Sequence, residues 1–414
     1  MFGKPLKDDT TDGEAARPGI DLLSREVAAD PYPTYAWLRD KHPVCRVEPG
    51  GIWAVSRFED VQFVLDNPDI FSASAANALY NTELPEDERT PARLISSQDP
   101  PDHGKYQGLV NKAFLDKATK PLIPLMLETA QSLLGNFNTT TPLDFVEHFT
   151  YPFVRTIIDR IVGLEDHRQD PNELREWLLL EERVSLSQTD ETFNRAFDAA
   201  TARQNRYFSV VMNERRKRPR DDLVTRLVTA EVDGRRLSDE EICGLLRLLV
   251  SAGFVTTVHM LSHAIVLLAR KPDLFALLKD SPQSIPAFVE ELLRFAPSVL
   301  ATVRTTTRAV EIAGVEIPAC ETVLPIVASA NRDPSAFPNP DRFDLARPRN
   351  GRHLSFGYGV HTCLGAALAR LELRIALEAL LGSYTYIDCP PDDRISRVHT
   401  LFLHGISELP IRLY

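Results

Sequence analysis

The chain has 414 residues, of which 43% are hydrophobic, enough to bury a large core. Its formal net charge of -11 argues against nucleic acid as the main partner. The five cysteines are scattered without a CxxC pair, and no uncharged apolar run reaches the roughly 18 residues that a membrane span needs. We therefore expect a soluble cytoplasmic protein without a disulfide framework.

The chain begins with a polar stretch, residues 1–18, that predicts a mobile leader and lacks the apolar core of a signal peptide. No linker or internal repeat divides residues 19–414, so we expect a single domain there. Residues 43–47 and 52–56 flank a turn and predict a hairpin, and residues 310–317 predict a second one. Long helical patterns lie between them. The predicted class is mainly α with small β-sheets.

A long central helix is predicted from a capping box, in which Ser238 precedes Glu241 by three positions, to about Ala269. The Thr256 hydroxyl is placed to reach the carbonyl of Ala252 one turn earlier. Taken alone, this is equally typical of a threonine that only bonds back inside its helix. The same face of the helix carries Leu249, Ala252 and Gly253.

Two histidines on this helix, His259 and His263, have the i, i+4 spacing of a metal pair. Neither a glutamate directly after His259 nor a third ligand is evident, so core histidines are favoured and no metal is assigned to them.

Near the carboxyl end, Cys363 lies on a glycine-rich loop before a second strong helical pattern. A sulfur beside a helix amino terminus meets unpaired N–H groups, which favour a thiolate. Gly357, Gly359 and Gly365 suit a tight turn and the close approach of a flat cofactor. The alternative is a structural cysteine before an amphipathic helix.

The pattern Phe356-x-x-Gly359-x-x-x-Cys363-x-Gly365 resembles the haem-ligating signature of the cytochrome P450 family. The resemblance implies the cytochrome P450 fold and haem b, with Cys363 as the axial ligand of the iron. It further implies that His361 hydrogen-bonds a haem propionate and that Phe356 packs beside the sulfur. Such a thiolate favours O–O cleavage.

The segment Ala252-Gly253-Phe254-Val255-Thr256 resembles the oxygen-activation motif Ala-Gly-x-Asp/Glu-Thr of the same family. Thr256 corresponds to the hydroxyl on the oxygen side, and Ala252 with Gly253 to the small residues beside the ring. Val255 stands where the family has an acid, so no carboxylate is assigned there.

Further matches support the resemblance. Glu291 and Arg294 match a structural Glu-x-x-Arg pair, which Arg342 is expected to complete. Arg304 and His103 match propionate-binding residues, and Gln107 stands where the family usually has an arginine. These matches, with His361, imply an anion site at the haem edge, and Gly357 of the cysteine loop is assigned to binding of the cofactor.

The resemblance implies a monooxygenase that inserts one oxygen atom from O2 into an apolar small molecule, with electrons from a ferredoxin or flavodoxin and its NAD(P)H-dependent reductase. Peroxide-driven or non-oxygenating chemistry is the alternative suggested by Val255. A haem-based sensor is a second class, but the chain has no spare sequence for an output module. A monomer is expected.

The substrate pocket is expected to be apolar and to bind a lipophilic molecule, with lids at about 71–97 and 178–197. An acidic redox partner is expected to dock near the Cys363 loop, against Lys105, Lys112, Arg370 and Arg374. The residues predicted to line the pocket are Phe254, Val255, Val299, Leu300, Thr302, Val303, Leu401 and Phe402.

Overall fold

Helices form most of the chain in the computed structural model, which describes residues 19–74, 95–137, 140–165, 170–183, 191–348 and 353–414. The predicted leader, residues 1–18, therefore lies outside the described residues. The α-helices are α1 Arg25–Ala29, α2 Tyr32–Lys41, α3 Phe58–Asp66, α4 Asp102–Val110, α5 Asp116–Thr119, α6 Ile123–Leu134, α7 Tyr151–Val162, α8 Pro171–Arg183, α9 Glu191–Lys217, α10 Leu223–Thr229, α11 Asp239–Arg270, α12 Pro272–Asp280, α13 Ile285–Phe295, α14 Val327–Ala330 and α15 Ala366–Ser383.

The strands are short and form small sheets. They are β1 Val44–Val47, β2 Ile52–Val55, β3 Phe71–Ser72, β4 Leu143–Asp144, β5 Glu231–Val232, β6 Arg235–Arg236, β7 Arg304–Thr306, β8 Val310–Ile312, β9 Val315–Ile317, β10 Thr322–Pro325, β11 Ile387–Asp388, β12 Ser396–His399, β13 His404–Glu408 and β14 Pro410–Leu413. The largest sheet has the order β1-β2-β10-β7-β3, in which only the β2–β10 pair is parallel. Both predicted hairpins, β1–β2 and β8–β9, are confirmed. A three-stranded sheet, β11-β14-β4, and the pairs β12–β13 and β5–β6 complete the set.

Helix α11 is the central element, and the predicted capping box starts it. The Glu241 amide donates to the Ser238 hydroxyl over 3.2 Å, and the Ser238 amide donates to the Glu241 carboxylate over 2.8 Å. The helix ends at Arg270, one residue after the predicted end, because Pro272 starts the next helix. Among the described helices, α11 alone is long and apolar enough to cross a bilayer, but 67% of its most apolar window is buried, as in a core helix.

The largest hydrophobic cluster gathers residues of α6, α7, α11, α13 and α15. Two smaller clusters flank the five-stranded sheet. As a result, the helix that follows Cys363 and the helix that carries Thr256 are both held by one core.

Candidate active site

A cavity of about 520 Å³ lies between α11 and the loop before α15. Its walls are largely apolar, with a few polar groups at two places. It brings together most of the residues singled out from the sequence: His103, Ala252, Gly253, Thr256, Val303, Arg304, Phe356, Gly357, His361, Cys363, Gly365 and Phe402.

The Cys363 loop is fixed by its backbone. The Cys363 amide donates to the Phe356 carbonyl over 2.8 Å, and the Gly365 amide donates to the Cys363 sulfur. Gly359 has φ +70°, and a Cβ there would stand 2.9 Å from the Leu65 carbonyl oxygen, so no other residue fits without a shift. Gly357 also has positive φ, at +72°. The glycines therefore set the turn that presents the sulfur to the cavity.

The protonation of the Cys363 thiol differs from the sequence expectation of a lowered pKa. Its exposed surface faces the cavity and not bulk water, and this burial raises the pKa of the thiol above its ordinary value. The Gly365 amide and the Arg370 charge lower the pKa by less. The helix begins only at Ala366, beyond Cys363. The amino terminus of α15 therefore lowers the pKa of this thiol less than it would for a cysteine in the first turn of the helix. A metal cation at the sulfur would supply the missing stabilisation of the thiolate.

Three basic side chains meet at one end of the cavity, as predicted. The rings of His103 and His361 lie 4.4 Å apart between centroids, and Arg304 is buried beside them. Burial lowers the pKa of Arg304 to about 10, and burial with repulsion from Arg304 and His103 lowers the pKa of His361 to about 4. Asp99 opposes these shifts only weakly.

This cluster fits the carboxylates of a haem. The Nε2 atom of His361 is buried without a hydrogen-bond partner among the described residues. Arg304 donates one hydrogen bond to the Val303 carbonyl, 2.8 Å away. Its other N–H groups have no acceptor among the described residues. Buried donors without acceptors are costly, and propionate groups would satisfy them. Gln107, in the family's usual arginine position, also lines the cavity.

On the α11 side, Thr256 donates its hydroxyl hydrogen to the Ala252 carbonyl over 2.8 Å, as predicted. Gly253 lines the cavity and was expected to make room for a flat ring. In the structure, its lack of a Cβ makes room for a side chain of α7 instead. A Cβ there would lie 2.7 Å from Cδ1 of Ile158. A side chain at position 253 would therefore have to displace the end of the Ile158 side chain where α11 crosses α7, and Ala252 also lines the cavity as a small residue.

The predicted pocket list needs correction. Val303 and Phe402 line the cavity, as do Val299 and Thr302. Phe254, Val255, Leu300 and Leu401 do not. Successive helix residues turn by about 100°, so the face with Ala252 and Thr256 directs Phe254 and Val255 into the core. Leu300 and Leu401 pack in the cluster beside the five-stranded sheet.

Several cavity residues were missed by sequence reasoning. Thr257 and Met260 continue the cavity-lining face of α11, which the helical period of the sequence could have indicated. Glu181 and Glu182 of α8 also line the cavity; they lie within the predicted second lid, but no pattern singled them out. Glu372 of α15 lies at the cavity wall, where burial raises the pKa of its carboxyl well above the usual range and Thr257 hydrogen-bonds it.

The Glu-x-x-Arg pair is a buried ion pair, but its third member is not the expected one. Arg294 donates to both oxygens of Glu291 over 2.8 and 2.9 Å, and Arg347 donates to Glu291 over 3.1 Å. Arg342 contributes only its carbonyl, which accepts from Arg294 and Arg347. Its side chain is exposed, so Arg347 replaces it in the network.

Three further histidines, His259, His263 and His353, have structural surroundings. His259 and His263 are buried in the core, and no group of three or more metal-ligating side chains occurs in the described part of the chain. His259 lies 3.5 Å from Glu182, and His263 contacts the Ala296 carbonyl at 3.0 Å. His353 pairs with Glu290 at 3.4 Å instead of facing the cavity.

The two predicted lids fall partly on residues that the structure does not describe. Residues 75–94, with Ala75, Ala76, Ala78 and Leu79, lie outside the described ranges, as do residues 184–190 of the second segment. At the edges of the two lids, Ile95 and Ser96 line the cavity from one, and Glu181 and Glu182 from the other.

Comparison with known proteins agrees with this geometry. The family model described as Cytochrome P450 matches residues 22–280 and 283–412. The chain is 36% identical to the erythromycin C-12 hydroxylase of Saccharopolyspora erythraea, over 92% of this chain and 95% of that protein. It is 34% identical to the cyclomarin C epoxidase CymV of Salinispora arenicola, over 86% and 89% of the two chains.

A solved structure shows the same fold. CYP109E1 from Bacillus megaterium in complex with testosterone is 31% identical, with a TM-score of 0.83 over 94% of this chain and 99% of that one. The family carries a haem-thiolate iron, and its hydroxylases and epoxidases are monooxygenases, so this protein is a haem-thiolate enzyme of that kind. By sequence, fold and site, the chain belongs to the cytochrome P450 family.

Proposed function

We propose that this enzyme holds haem b on Cys363 and inserts one oxygen atom from O2 into a lipophilic small molecule, by hydroxylation or epoxidation in secondary metabolism. One observation carries the proposal: a single, largely apolar cavity is lined both by the Cys363 sulfur and by the Thr256 hydroxyl.

The haem, when bound, supplies the activation of O2, and the protein's own residues supply the surroundings. Cys363 offers its sulfur, held by the Gly365 amide. His103, Arg304 and His361 would hold the propionates and so fix the orientation of the ring. Phe356 covers the sulfur side, where the Arg370 guanidinium stacks 4.5 Å from its ring.

Thr256 is the hydroxyl that the resemblance to the family's oxygen-activation motif assigns to the oxygen side. Its hydroxyl rests on the Ala252 carbonyl, and a rotation of the side chain would release this hydrogen for delivery. Val255 cannot assist, because it has no proton and its side chain packs in the core. Water or the substrate is expected to complete the relay in place of the acid that the family has at this position.

Similarity to relatives supports a lipophilic substrate. The testosterone-bound structure and the erythromycin and cyclomarin enzymes carry bulky, largely apolar compounds in their names. The apolar wall formed by Leu248, Leu249, Val299, Val303 and Phe402 suits a compound of that kind.

We further propose that a ferredoxin or flavodoxin supplies the electrons, with a reductase that uses NAD(P)H. Of the four basic residues expected at the docking face, three make ion pairs within the chain: Lys105 with Asp102 and Asp233, Arg370 with Glu290, and Arg374 with Glu378. Such pairing reduces their attraction for an acidic partner. Lys112 is exposed and has no described ion pair, so it is the residue expected to matter most.

We predict that the enzyme is a cytoplasmic monomer with one domain, which covers residues 19–414. The family match, which extends over residues 22–412 apart from two positions, supports the single domain.

The test starts with the purified holoenzyme. Its ferrous carbon monoxide complex should show the strongly red-shifted Soret band of a thiolate ligand, which Cys363→Ser should abolish. Cys320→Ser, at an exposed cysteine, is the matched control and should keep the band. A band typical of histidine ligation in the wild type would contradict the proposal.

Turnover then separates the alternatives. After a spectral screen finds a binding compound, product should form with NAD(P)H, reductase and ferredoxin. Product with peroxide alone would favour the peroxide-driven alternative. Binding without product under either condition would favour a non-oxygenating reaction or a sensor.

A further inference from the structure

Among the ionisable side chains that line the cavity, a basic set and an acidic set can be distinguished; Glu372, which Thr257 hydrogen-bonds, belongs to neither. The basic set, His103, Arg304 and His361, fits the haem propionates. The second set consists of the carboxyl groups of Glu181 and Glu182, at the carboxyl end of α8. Helix α8 packs on α9 and α11. The second set therefore belongs to a different part of the cavity wall from the Cys363 loop, which we call the substrate side.

The two carboxyl groups differ in their partners. Glu182 is buried and lies 3.5 Å from Nε2 of His259. Glu181 makes no hydrogen bond or ion pair with any residue in the described ranges. The Glu181 side chain is partly accessible, but its surroundings desolvate the carboxyl group. Its accessible surface therefore faces the cavity.

Within the described part of the chain, one positive charge acts on the Glu181 carboxyl, that of Arg247 on α11. The Arg247 guanidinium is already engaged with the side-chain oxygen of Asn205 on α9, and Arg247 does not line the cavity. Burial outweighs this charge and raises the pKa of Glu181 to about 7. A carboxyl in an apolar wall without a partner costs stability, and a cationic group brought by a ligand would offset that cost.

We propose that Glu181 determines substrate specificity, by binding an ammonium group, and that the substrate is a lipophilic molecule with a basic nitrogen. This inference rests on the proposed monooxygenase function and narrows its substrate class. Apolar contacts hold the body of the substrate, and the carboxylate orients it by its one charged end.

The test measures binding to the holoenzyme by titration calorimetry and by the shift of the Soret band. Three probes share one chain and differ in charge: dodecyltrimethylammonium, dodecan-1-ol and dodecanoate, all below their micellar concentrations. The quaternary nitrogen has no lone pair, so it cannot ligate the iron. Wild type at pH 8 should bind the ammonium about tenfold or more tightly than the alcohol, and the carboxylate most weakly.

Glu181→Gln should bring the ammonium-to-alcohol ratio close to one and should leave the alcohol affinity unchanged. Glu173→Gln, the same substitution at an exposed site of α8, is the matched control and should keep the wild-type ratio. In wild type the ratio should also rise between pH 6 and pH 8, as Glu181 ionises, while the quaternary charge stays constant. This second measurement stands even if Glu181→Gln does not fold.

An unchanged ratio in Glu181→Gln, together with a flat pH profile, would overturn the inference. If the thiolate band and alcohol binding remain in that case, the proposed function survives. A drop in product per electron without a change in the ratio would instead make Glu181 a proton donor. Failure of every probe to bind would overturn both the inference and the lipophilic cavity.

Discussion

The two sides of the cavity are built in different ways. On the cysteine side, glycines with positive φ and backbone hydrogen bonds hold the loop in one shape. On the α11 and α8 side, two threonines, a row of apolar side chains and two carboxyl groups line the wall. On the cysteine side, backbone contacts fix the positions of the atoms. On the substrate side, side chains on a rigid helix form the wall, and they can be substituted without a change of the backbone.

This contrast separates chemistry from specificity. Ligation of a metal needs a sulfur at one position within a fraction of an ångström, and over-determined backbone contacts provide it. Substrate choice needs only a shape and one or two charges, which single substitutions on α8 or α11 can alter. Substitutions on the cysteine side are therefore expected to cost stability, and those on the substrate side to change selectivity.

The largest effect is expected at the buried ion pair. Glu291→Gln leaves Arg294 and Arg347 without their carboxylate, so the free energy of unfolding should fall by about 3–5 kcal/mol. Denaturant unfolding of the holoenzyme and haem retention would measure the loss. Arg342→Ala is the control, because its exposed side chain makes no described ion pair, and it should change stability by less than about 0.5 kcal/mol. Equal effects of the two variants would restore Arg342 to the network.

The next effect concerns Val255. Aspartate there would be buried in the core instead of entering the cavity, at a cost of about 3 kcal/mol. Thermal unfolding would detect it, and Val255→Thr, with nearly the same volume, should cost clearly less. A Val255→Asp enzyme as stable as wild type and faster in turnover would mean that this side chain reaches the oxygen site after all.

Acid should weaken the substrate side through its buried histidines. Burial lowers the pKa of His263 to about 3 and of His404 to about 2, both below the ordinary value of 6.5. The unfolded chain therefore binds protons that the folded chain refuses. The stability is complete above pH 6.5 and is lost as the pH falls, by about 2 kcal/mol per histidine at pH 5. The loss of unfolding free energy between pH 7 and pH 5, measured with denaturant, should be smaller in His404→Gln than in wild type. An equal loss in the two proteins would contradict this origin.

The smallest effect on the fold, and a selective one on function, is expected at Thr256. Thr256→Ala should consume reductant while peroxide accumulates, with several-fold less product per electron, because the hydroxyl hydrogen is lost. Thr256→Ser keeps a hydroxyl and should stay coupled. Product per electron, measured with one bound substrate, decides the matter. If the alanine variant equals wild type, the proton route runs through the substrate or water alone.

The local patterns proved good guides where the physics is local. The capping box of Ser238, the hairpin of β1 and β2 and the bond from Thr256 to Ala252 depend on neighbours within a few residues. Errors arose where partners come from far along the chain. Arg347 instead of Arg342 binds Glu291, and the choice is set by how residues 338–347 fold over α13.

The sequence by itself determined the class of protein and singled out the cysteine and the basic residues that line the cavity, because those depend on residue type and short spacing. Only the tertiary structure decided which neighbours face the cavity. A turn of about 100° sends Val255 to the core and Thr256 to the cavity, although the two are adjacent. It also decided that Glu181 has a cavity instead of water beside it, because burial and the distance to charges are properties of packing, which no local pattern contains.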